Sequence, residues 1–458
     1  MSTIINKVTK FILGTTVSLV SLTVAAQKTL LDQYIDEAFQ NNQGLHQQEF
    51  QLEKSLYALK EAQSMFLPNV SFLGSYTKTG GGRSIDFPIG DLLNPVYNSL
   101  NQLTGGENFP KVQNASFLLN PDNFYDAKFR TTLPLINAEL WYNQQMKKEM
   151  IGQQQAAVNV YKRELVKNIK TAYFQYYQAV KAVDIYNNAL QLVNENIRVN
   201  ESMLRNGVRN STALTRAETE KQKIDASINQ AENAQKNAQA YFNFLLNRSL
   251  TTEINLDSSA FSAGDKIIEN SSGDISSREE LTQLNKTAAV YQLNKKIQQS
   301  YIIPKLNTFL DLGSQGFDWK YDNKTRYYMW GVNLQWDLFA AGRNHYKTQQ
   351  AQQDVKAVKA QYSETEQALK LQLEQVINNF NTATANFQAA QTQLQLAQKY
   401  YTDQLKMYKA GQLLYLELID AQNQLTNAQL QRAVAFANVQ IAQAGIERTI
   451  ASYPLQNN

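Results

Sequence analysis

The chain has 458 residues, a formal net charge of +4, two histidines and no cysteine. Without cysteine there are no disulfides, thiolate metal sites or lipidated cysteine, and two isolated histidines leave most nucleophilic, acid–base and zinc constellations incomplete. We therefore expect no catalytic residue, cofactor or metal. Because the net positive charge is small, we also expect no nucleic-acid partner.

Residues 1–26 have the features of a secretory signal peptide. Two lysines precede an apolar stretch at 11–24, which ends in small residues before Gln27. We expect cleavage after Ala26, and the loss of these two lysines lowers the net charge from +4 to +2. The apolar stretch is too short to cross a membrane as a helix.

Two strands are predicted in the first half of the mature chain, at about 69–79 and 126–136. Pro68 precedes the first of them, as proline often does at the start of a strand. In the second, apolar and polar residues alternate through "AKFRTTLPLI". The residues between the two strands, 80–126, are rich in glycine and proline and predict a long loop.

A second strand pair is predicted at about 305–313 and 328–339, again with a proline, Pro304, before the first strand. The last strand carries apolar residues at every second position and polar or small residues between them. A strand of a water-soluble sandwich shows the same alternation, but two tryptophans and a tyrosine on one face favour contact with lipid. The predicted lipid-facing residues are Tyr328, Trp330, Val332, Leu334, Trp336 and Leu338.

Each strand pair is followed by a very long helix, predicted at about 138–206 and about 341–410. In the second, an apolar stripe from Val355 to Tyr408 recurs about every 3.5 residues, the period of a left-handed coiled coil. At 1.5 Å per residue such a helix is about 105 Å long. The helices that follow the two long ones, predicted at about 212–247 and 416–452, are much shorter. To match the long helices in length they need partners stacked end to end, such as the predicted helix at about 44–66.

A glycine turn ends each long helix, in "MLRNGVRNSTALTRA" at 203–217 and "MYKAGQLLYLELIDA" at 407–421. Gly207 and Gly411 are predicted to take the left-handed conformation at the helix ends. Leu214 and Leu418 follow seven residues later and are predicted to belong to the tip, where they pack the returning helix against its partner. The repeated spacing indicates a duplication, with a first repeat at 27–246, a second repeat at 281–458 and residues 247–280 between them.

The order of these segments resembles that of the TolC-type outer-membrane efflux proteins. The resemblance covers essentially the whole mature chain and rests on "LLDQYIDEAFQNNQGL", "FLPNVSF", "IIPKLNTF", "LQWDLFAAGRNHY" and the two glycine tips. "WDLFAAGR", followed by a long helix and "YKAGQLLYLELIDAQNQL", is its most specific part. Many relatives carry a lipid-anchoring cysteine after the signal peptide, where this chain has Gln27.

The resemblance implies a mainly α-helical protein with a transmembrane β-barrel portion. Each chain would give four strands to a twelve-stranded barrel formed by a homotrimer, and its helices to a coiled-coil tunnel in the periplasm. Four strands alone cannot close a barrel in lipid, whereas three copies can. The connector at 247–280 would pass around the waist of the tunnel.

The implied function is an outer-membrane channel of a tripartite system, which exports small molecules or secreted proteins from the periplasm or an inner-membrane pump. A periplasmic adaptor would dock at the tips and link the channel to the pump. Acidic residues close to the second tip are candidate gate or lumen charges, although a solvated helix face explains them as well: Asp403, Glu417 and Asp420. The alternative is a secreted or surface coiled-coil protein without transport activity.

Overall fold

A computed structural model describes residues 29–208, 210–257 and 274–455. The expected signal peptide and residues 258–273 of the expected connector lie outside this part. Within it the helices are α1 (Leu30–Asn41), α2 (Gln43–Ser64), α3 (Ile89–Thr104), α4 (Ala138–Arg205), α5 (Ser211–Leu245), α6 (Glu279–Gln299), α7 (Arg343–Lys409) and α8 (Tyr415–Thr449). The strands are β1 (Asn69–Thr77), β2 (Ser84–Phe87), β3 (Ala115–Leu118), β4 (Phe124–Ile136), β5 (Lys305–Phe317) and β6 (Arg326–Gln335). No helix in these ranges has the length and apolar character needed to cross a membrane.

The four long strands form one antiparallel sheet in the order β1–β4–β5–β6. Each strand is continuous with a helix, because α2 leads into β1, β4 into α4, α6 into β5 and β6 into α7. The helices keep the order of the strands, since α4 packs against α2 and α6, and α6 packs against α7. Farther along, α5 packs on α4, and α8 packs on α4 and α7. The protomer is a strip of four columns, and it confirms the predicted duplicated architecture of long helices and four strands.

Two of the columns are pairs of helices stacked end to end. In the first repeat, Asn42 caps α2 by accepting a hydrogen bond from the Leu45 amide at 2.9 Å, and its side-chain amide donates to the Leu245 carbonyl at the end of α5 at 2.8 Å. In the second repeat, Arg278 precedes α6 and donates from Nη1 to the Thr449 carbonyl at the end of α8, at 2.9 Å. One polar side chain therefore joins each stacked pair at an equivalent place.

The long helices lie where the sequence predicted them, and the stripe on α7 explains why they are stable without a globular domain around them. The buried residues of α7 recur along that stripe and include Val355, Leu369, Phe380 and Tyr408. They face α6 and α8 inside the protomer. At 1.5 Å per residue, α4 and α7 are each about 100 Å long.

The observed strand bounds differ from the predicted ones by two to four residues at several ends, and the end of β6 changes the place of two predicted lipid-facing residues. β6 ends at Gln335, so Trp336 and Leu338 lie beyond the strand that was predicted to continue to residue 339. The reason lies in its neighbour, because Gln335 pairs with Lys305, the first residue of β5. Pro304 precedes Lys305 and has no backbone N–H to continue the ladder.

The segment predicted as a loop at 80–126 also contains regular structure. β2 and β3 pair as a small antiparallel sheet, and α3 lies between them in the chain. The sequence did not predict α3, because this segment contains Pro95 and lies between glycine-rich stretches. The corresponding connection between β5 and β6 spans only residues 318–325.

Candidate channel wall and tip turns

The four-stranded sheet has one apolar face, which carries four of the six predicted lipid-facing residues. Directly paired residues share a face, so Leu310 lies beside Trp330 and Leu312 beside Tyr328. Val332 and Leu334 continue this row on β6 and are exposed in the single protomer. Trp336 and Leu338 are exposed as well, in the segment between β6 and α7. We call this side of the sheet the apolar face.

The opposite side, the polar face, carries an ion-pair network. Arg130 of β4 donates from Nε and Nη2 to the two carboxylate oxygens of Asp311 on β5, at 2.7 and 2.6 Å. Asp311 is completely buried beneath this bidentate contact. Asp126 accepts from Lys128 and from the Tyr327 hydroxyl. The sheet therefore has the apolar and polar sides that a wall between lipid and water requires.

An aromatic cluster covers the apolar face at the end of the sheet remote from the helices. Trp319, in the connection between β5 and β6, stacks on Tyr125 at 5.5 Å and on Tyr76 at 5.2 Å between ring centroids. Tyr321 packs on Tyr125 at 4.7 Å. The Tyr125 hydroxyl donates to the Lys320 carbonyl at 2.6 Å. Aromatic rings near one end of a set of strands are typical of barrels whose strand ends meet a membrane interface.

A charge cluster fixes the junction of α8 and α6. Glu280 accepts from Arg278 Nη2 at 2.8 Å and from Arg448 Nη2 at 2.6 Å. Burial alone would raise the pKa of Glu280, but the hydrogen bonds from the two arginines outweigh it and lower the pKa to about 2. Arg448 also donates to Glu164 on α4 at 3.2 Å. The cluster holds the second stacked pair to the long helix of the first repeat.

The two tip turns have the same hydrogen bonds. Gly207 donates to the Leu204 carbonyl at 3.0 Å, and Val208 donates to Met203 at 2.9 Å. At the other tip, Gly411 donates to Tyr408 at 3.0 Å, while Gln412 donates to Met407 at 3.0 Å. These bonds define Schellman motifs, and the two glycines have φ of +71° and +77°, in the left-handed region.

The residues seven positions after each glycine are packing residues. Leu418 is fully buried in a core with Tyr408 and Tyr415. Leu214 is half-buried. Leu414 and Leu416, by contrast, are exposed at the second tip. Sequence periodicity could not separate these leucines, since all four follow a glycine turn within a few residues.

The three candidate gate acids are exposed on the helices that flank the second tip. Asp403 lies 4.0 Å from Lys406 on α7. Asp420 accepts a hydrogen bond from Gln424 at 2.7 Å on α8. Glu417 lies in the first turn of α8. Across residues 29–208, 210–257 and 274–455, no three acidic or histidine side chains converge as metal ligands would.

A buried polar chain near the tips links the two repeats and was not found in the sequence. Asn196 donates to the Gln422 side chain at 2.8 Å, and Gln422 donates to the Ala189 carbonyl at 3.3 Å. Tyr408 donates to Asn200 at 2.5 Å. The sequence gives no signal for these residues, because α4 and α8 carry many other Asn and Gln side chains on exposed faces.

Comparisons with known proteins agree with this architecture. Residues 275–452 match the sequence model of the outer membrane efflux protein family. The fold is similar to that of the outer membrane protein VceC of Vibrio cholerae, with a TM-score of 0.70, 14% identity and coverage of 92% of this chain and 95% of the other. It is similar to the CmeC outer membrane channel of Campylobacter jejuni, with a TM-score of 0.71, 14% identity and coverage of 92% and 85%.

The MtrE outer membrane channel of Neisseria gonorrhoeae, in its open state, has a TM-score of 0.70, 14% identity and coverage of 92% and 88%. No curated protein matches the chain significantly by sequence. The resemblance to TolC-type outer-membrane efflux proteins, predicted from the motifs, is confirmed. Over residues 275–452 the chain thus matches the outer membrane efflux protein family, and over 92% of its length it has the fold of outer-membrane channels.

Proposed function

We propose that three copies of this chain form an outer-membrane channel whose helical tunnel projects into the periplasm. A periplasmic adaptor would connect the tunnel to an inner-membrane pump, and small molecules or secreted proteins would leave the cell through it. The observation that carries this proposal is the strip of four columns, which has an apolar and a polar face in its strands and an open edge along its whole length on both sides.

The open edges favour a closed ring of copies. β1 and β6 each have one unpaired side in the sheet, and their columns continue as α2 and α7. An open sheet edge in lipid would leave backbone amides without partners. If β6 pairs with β1 of the next copy, three strips give twelve strands, and the same ring closes the helices into a tube.

The two faces of the sheet set the orientation of the wall. With the apolar face toward lipid, Trp330 and Val332 meet hydrocarbon, and Arg130 with Asp311 lines a water-filled interior. The aromatic cluster around Trp319 then lies at the external membrane interface, and the tips lie at the periplasmic end. Export of cargo is the role that a tube open to two aqueous spaces serves.

The tips are the proposed adaptor-docking sites because they are the ends of the tube farthest from the membrane. Gly207 and Gly411 would shape the docking surfaces, and exposed Leu414 and Leu416 would supply apolar contact. Asp403, Glu417 and Asp420 are proposed lumen or gate charges, since they are exposed on the helices that flank the second tip.

The face assignment can be tested by adding a charge on either side of β6. We expect Val332→Lys to cost about 2–4 kcal/mol per protomer, because it places a cation among lipid chains near the middle of the strand. Asn333→Lys, one residue further on the polar face, should be tolerated. The readout is the heat-modifiable trimer in outer-membrane detergent extracts.

Equal amounts of folded trimer for the two variants would contradict the face assignment. A wild-type protein that migrates as a monomer before heating, or that is released into the aqueous fraction, would favour the non-transporting coiled-coil alternative. Crosslinking of the adaptor to residues of the tip turns tests the proposed docking site separately from the membrane assignment.

A further inference from the structure

The connection between β1 and β4, residues 78–123, is a folded unit with no equivalent in the second repeat. We call it the external insertion. It contains the β2–β3 ladder and α3, whereas β5 and β6 are joined by residues 318–325. A hydrogen bond closes its base, since the backbone amide of Thr79 donates to the Asp122 side chain at 3.1 Å, just before β4 begins. The insertion therefore stands at the external end of the proposed channel wall.

One side of α3 is already occupied by the insertion itself. Asn94 donates to and accepts from the backbone of Val112, both at 2.9 Å. Asn101 makes the same pair of bonds with Phe109, again at 2.9 Å. Gly90 approaches the Val112 carbonyl so closely that a Cβ would lie 2.4 Å from its oxygen. This side fixes the orientation of the helix.

The opposite side of α3 is an uncovered apolar stripe. Leu92, Val96 and Leu103 fall within about 40° of one another around a helix of 3.6 residues per turn. They are 70%, 53% and 82% exposed. No charged residue occurs between Leu92 and Gly106. An apolar stripe on a helix oriented by four side-chain hydrogen bonds indicates a contact surface.

The charges of α3 and its place on the sheet argue against lipid as the partner of the apolar stripe. Helices that lie on membranes carry Lys and Arg on their polar face, and α3 has none, its only charge being Asp91. The apolar face of the sheet is also taken at the base of the insertion, because Trp319 lies against Tyr76 of β1 and Tyr125 of β4. The polar, pore-facing side of β1 and β4 is the side left free.

We propose that the external insertions of three copies meet over the mouth of the channel, with the apolar stripes of α3 packed against one another. This inference rests on the proposed trimeric channel. A second copy is the fitting occupant, because the insertion begins at the end of β1, whose free edge is the proposed contact between copies. The packed insertions form a lid that narrows the external opening, and only the first repeat supplies it.

The natural absence of cysteine allows a direct test of this contact. We expect oxidation of Leu103→Cys in outer membranes to give a disulfide-linked pair of protomers after the trimer is dissociated by heat under non-reducing conditions. Asn98→Cys, on the other side of α3, is the matched control and should remain monomeric. Failure of Leu103→Cys to crosslink, or equal crosslinking of both variants, would overturn the proposal.

The trimer band of unheated wild-type samples reports the proposed function independently of the lid. If that band is present and a bimane label on Leu103→Cys is quenched by brominated phospholipid, the helix lies in lipid and the lid is wrong. If wild-type protein gives no trimer, both proposals fail together.

A deletion measures what the lid does. The Leu119 amide donates to the Arg83 carbonyl at 2.9 Å, so a two-glycine linker can replace residues 83–119 without stretching the chain. We expect the shortened protein to keep its trimer band and to show a severalfold higher single-channel conductance in planar bilayers. Unchanged conductance in an intact trimer would show that the insertion does not cover the pore.

Discussion

The two repeats use the same geometry with different chemistry. Both tips are closed by a glycine in the left-handed conformation with the same pair of hydrogen bonds, and both stacked columns are joined by one buried polar side chain. The joining residue is the neutral Asn42 in the first repeat and the charged Arg278 in the second. The junction thus requires a donor for the last carbonyls of the preceding helix, and any donor of suitable reach satisfies it.

The repeats differ most at their external ends. The first repeat carries the external insertion, and the second has a short connection whose Trp319 packs back on the sheet. The helical parts have no such freedom, because each long helix must keep its apolar stripe on a stacked pair for about 100 Å. The periodic contacts along the helices require the same geometry in both repeats, whereas the solvent-exposed ends are free to differ.

The comparison of the two junctions predicts the largest effect. Arg278→Met should cost about 3–5 kcal/mol, because Arg278 is 2% exposed and its removal leaves the partly buried Glu280 carboxylate with one arginine and the Thr449 carbonyl without its side-chain donor. Asn42→Leu removes only neutral hydrogen bonds and should cost about 1–3 kcal/mol. Denaturant unfolding of the detergent-solubilised protein, followed by circular dichroism, measures both losses. Equal losses would show that charge at the junction is irrelevant.

The same cluster predicts a pH dependence that the first junction lacks. Because the pKa of Glu280 is lowered from 4.5 to about 2, its ionised form stabilises the fold fully above about pH 4.5, and this contribution is lost as the pH falls toward 2. The contribution is at most about 3 kcal/mol. We expect Glu280→Gln to be less stable than wild type at neutral pH and to have a flatter stability profile below pH 4.5. Parallel profiles would contradict the assigned role of Glu280.

The tip turns predict a smaller effect that is the same in both repeats. Gly207→Val and Gly411→Val should each cost about 1–2 kcal/mol, because a β-branched residue resists a positive φ. No atom lies within 4 Å of a Cβ built on either glycine, so the cost is conformational and not steric. We expect near-normal trimer levels but weaker adaptor crosslinking and export for both variants.

A third glycine provides the control for the tip variants. Gly445 lies inside α8 at ordinary helical φ, and a Cβ there would meet only Val376 at 3.9 Å. Gly445→Ala should therefore raise the stability by about 0.5–1 kcal/mol.

If Gly411→Val abolished the trimer while adaptor crosslinking persisted, the proposed direction of the helical rod would be wrong.

Strong periodicity made much of the fold predictable. The alternation around Trp330 indicated a strand with two unlike faces, and the stripe ending at Tyr408 indicated a helix of nearly 70 residues. Both signals extend over many residues, so single exceptions do not obscure them. By contrast, α3 is short and interrupted by Pro95, and the sequence showed only a glycine-rich loop there.

The candidate site was less predictable, because its residues act through contacts between distant segments. Leu418 and Leu414 look alike in the sequence, and only the path of the chain after Gly411 buries the first and exposes the second. The same holds for Asn196 and Gln422, which are 226 residues apart. Their pairing depends on how α8 crosses α4.

The sequence by itself determined the repeated order of strands, long helices and glycine turns, because periodicity and backbone conformation are local properties of the chain. Only the tertiary structure decided that Arg130 pairs with Asp311, that Asn42 and Arg278 occupy equivalent junctions, and that β6 stops at Gln335. Each of these depends on which residues of other columns lie opposite. The alignment of four columns is fixed by the packing of the whole strip, and no single segment encodes it.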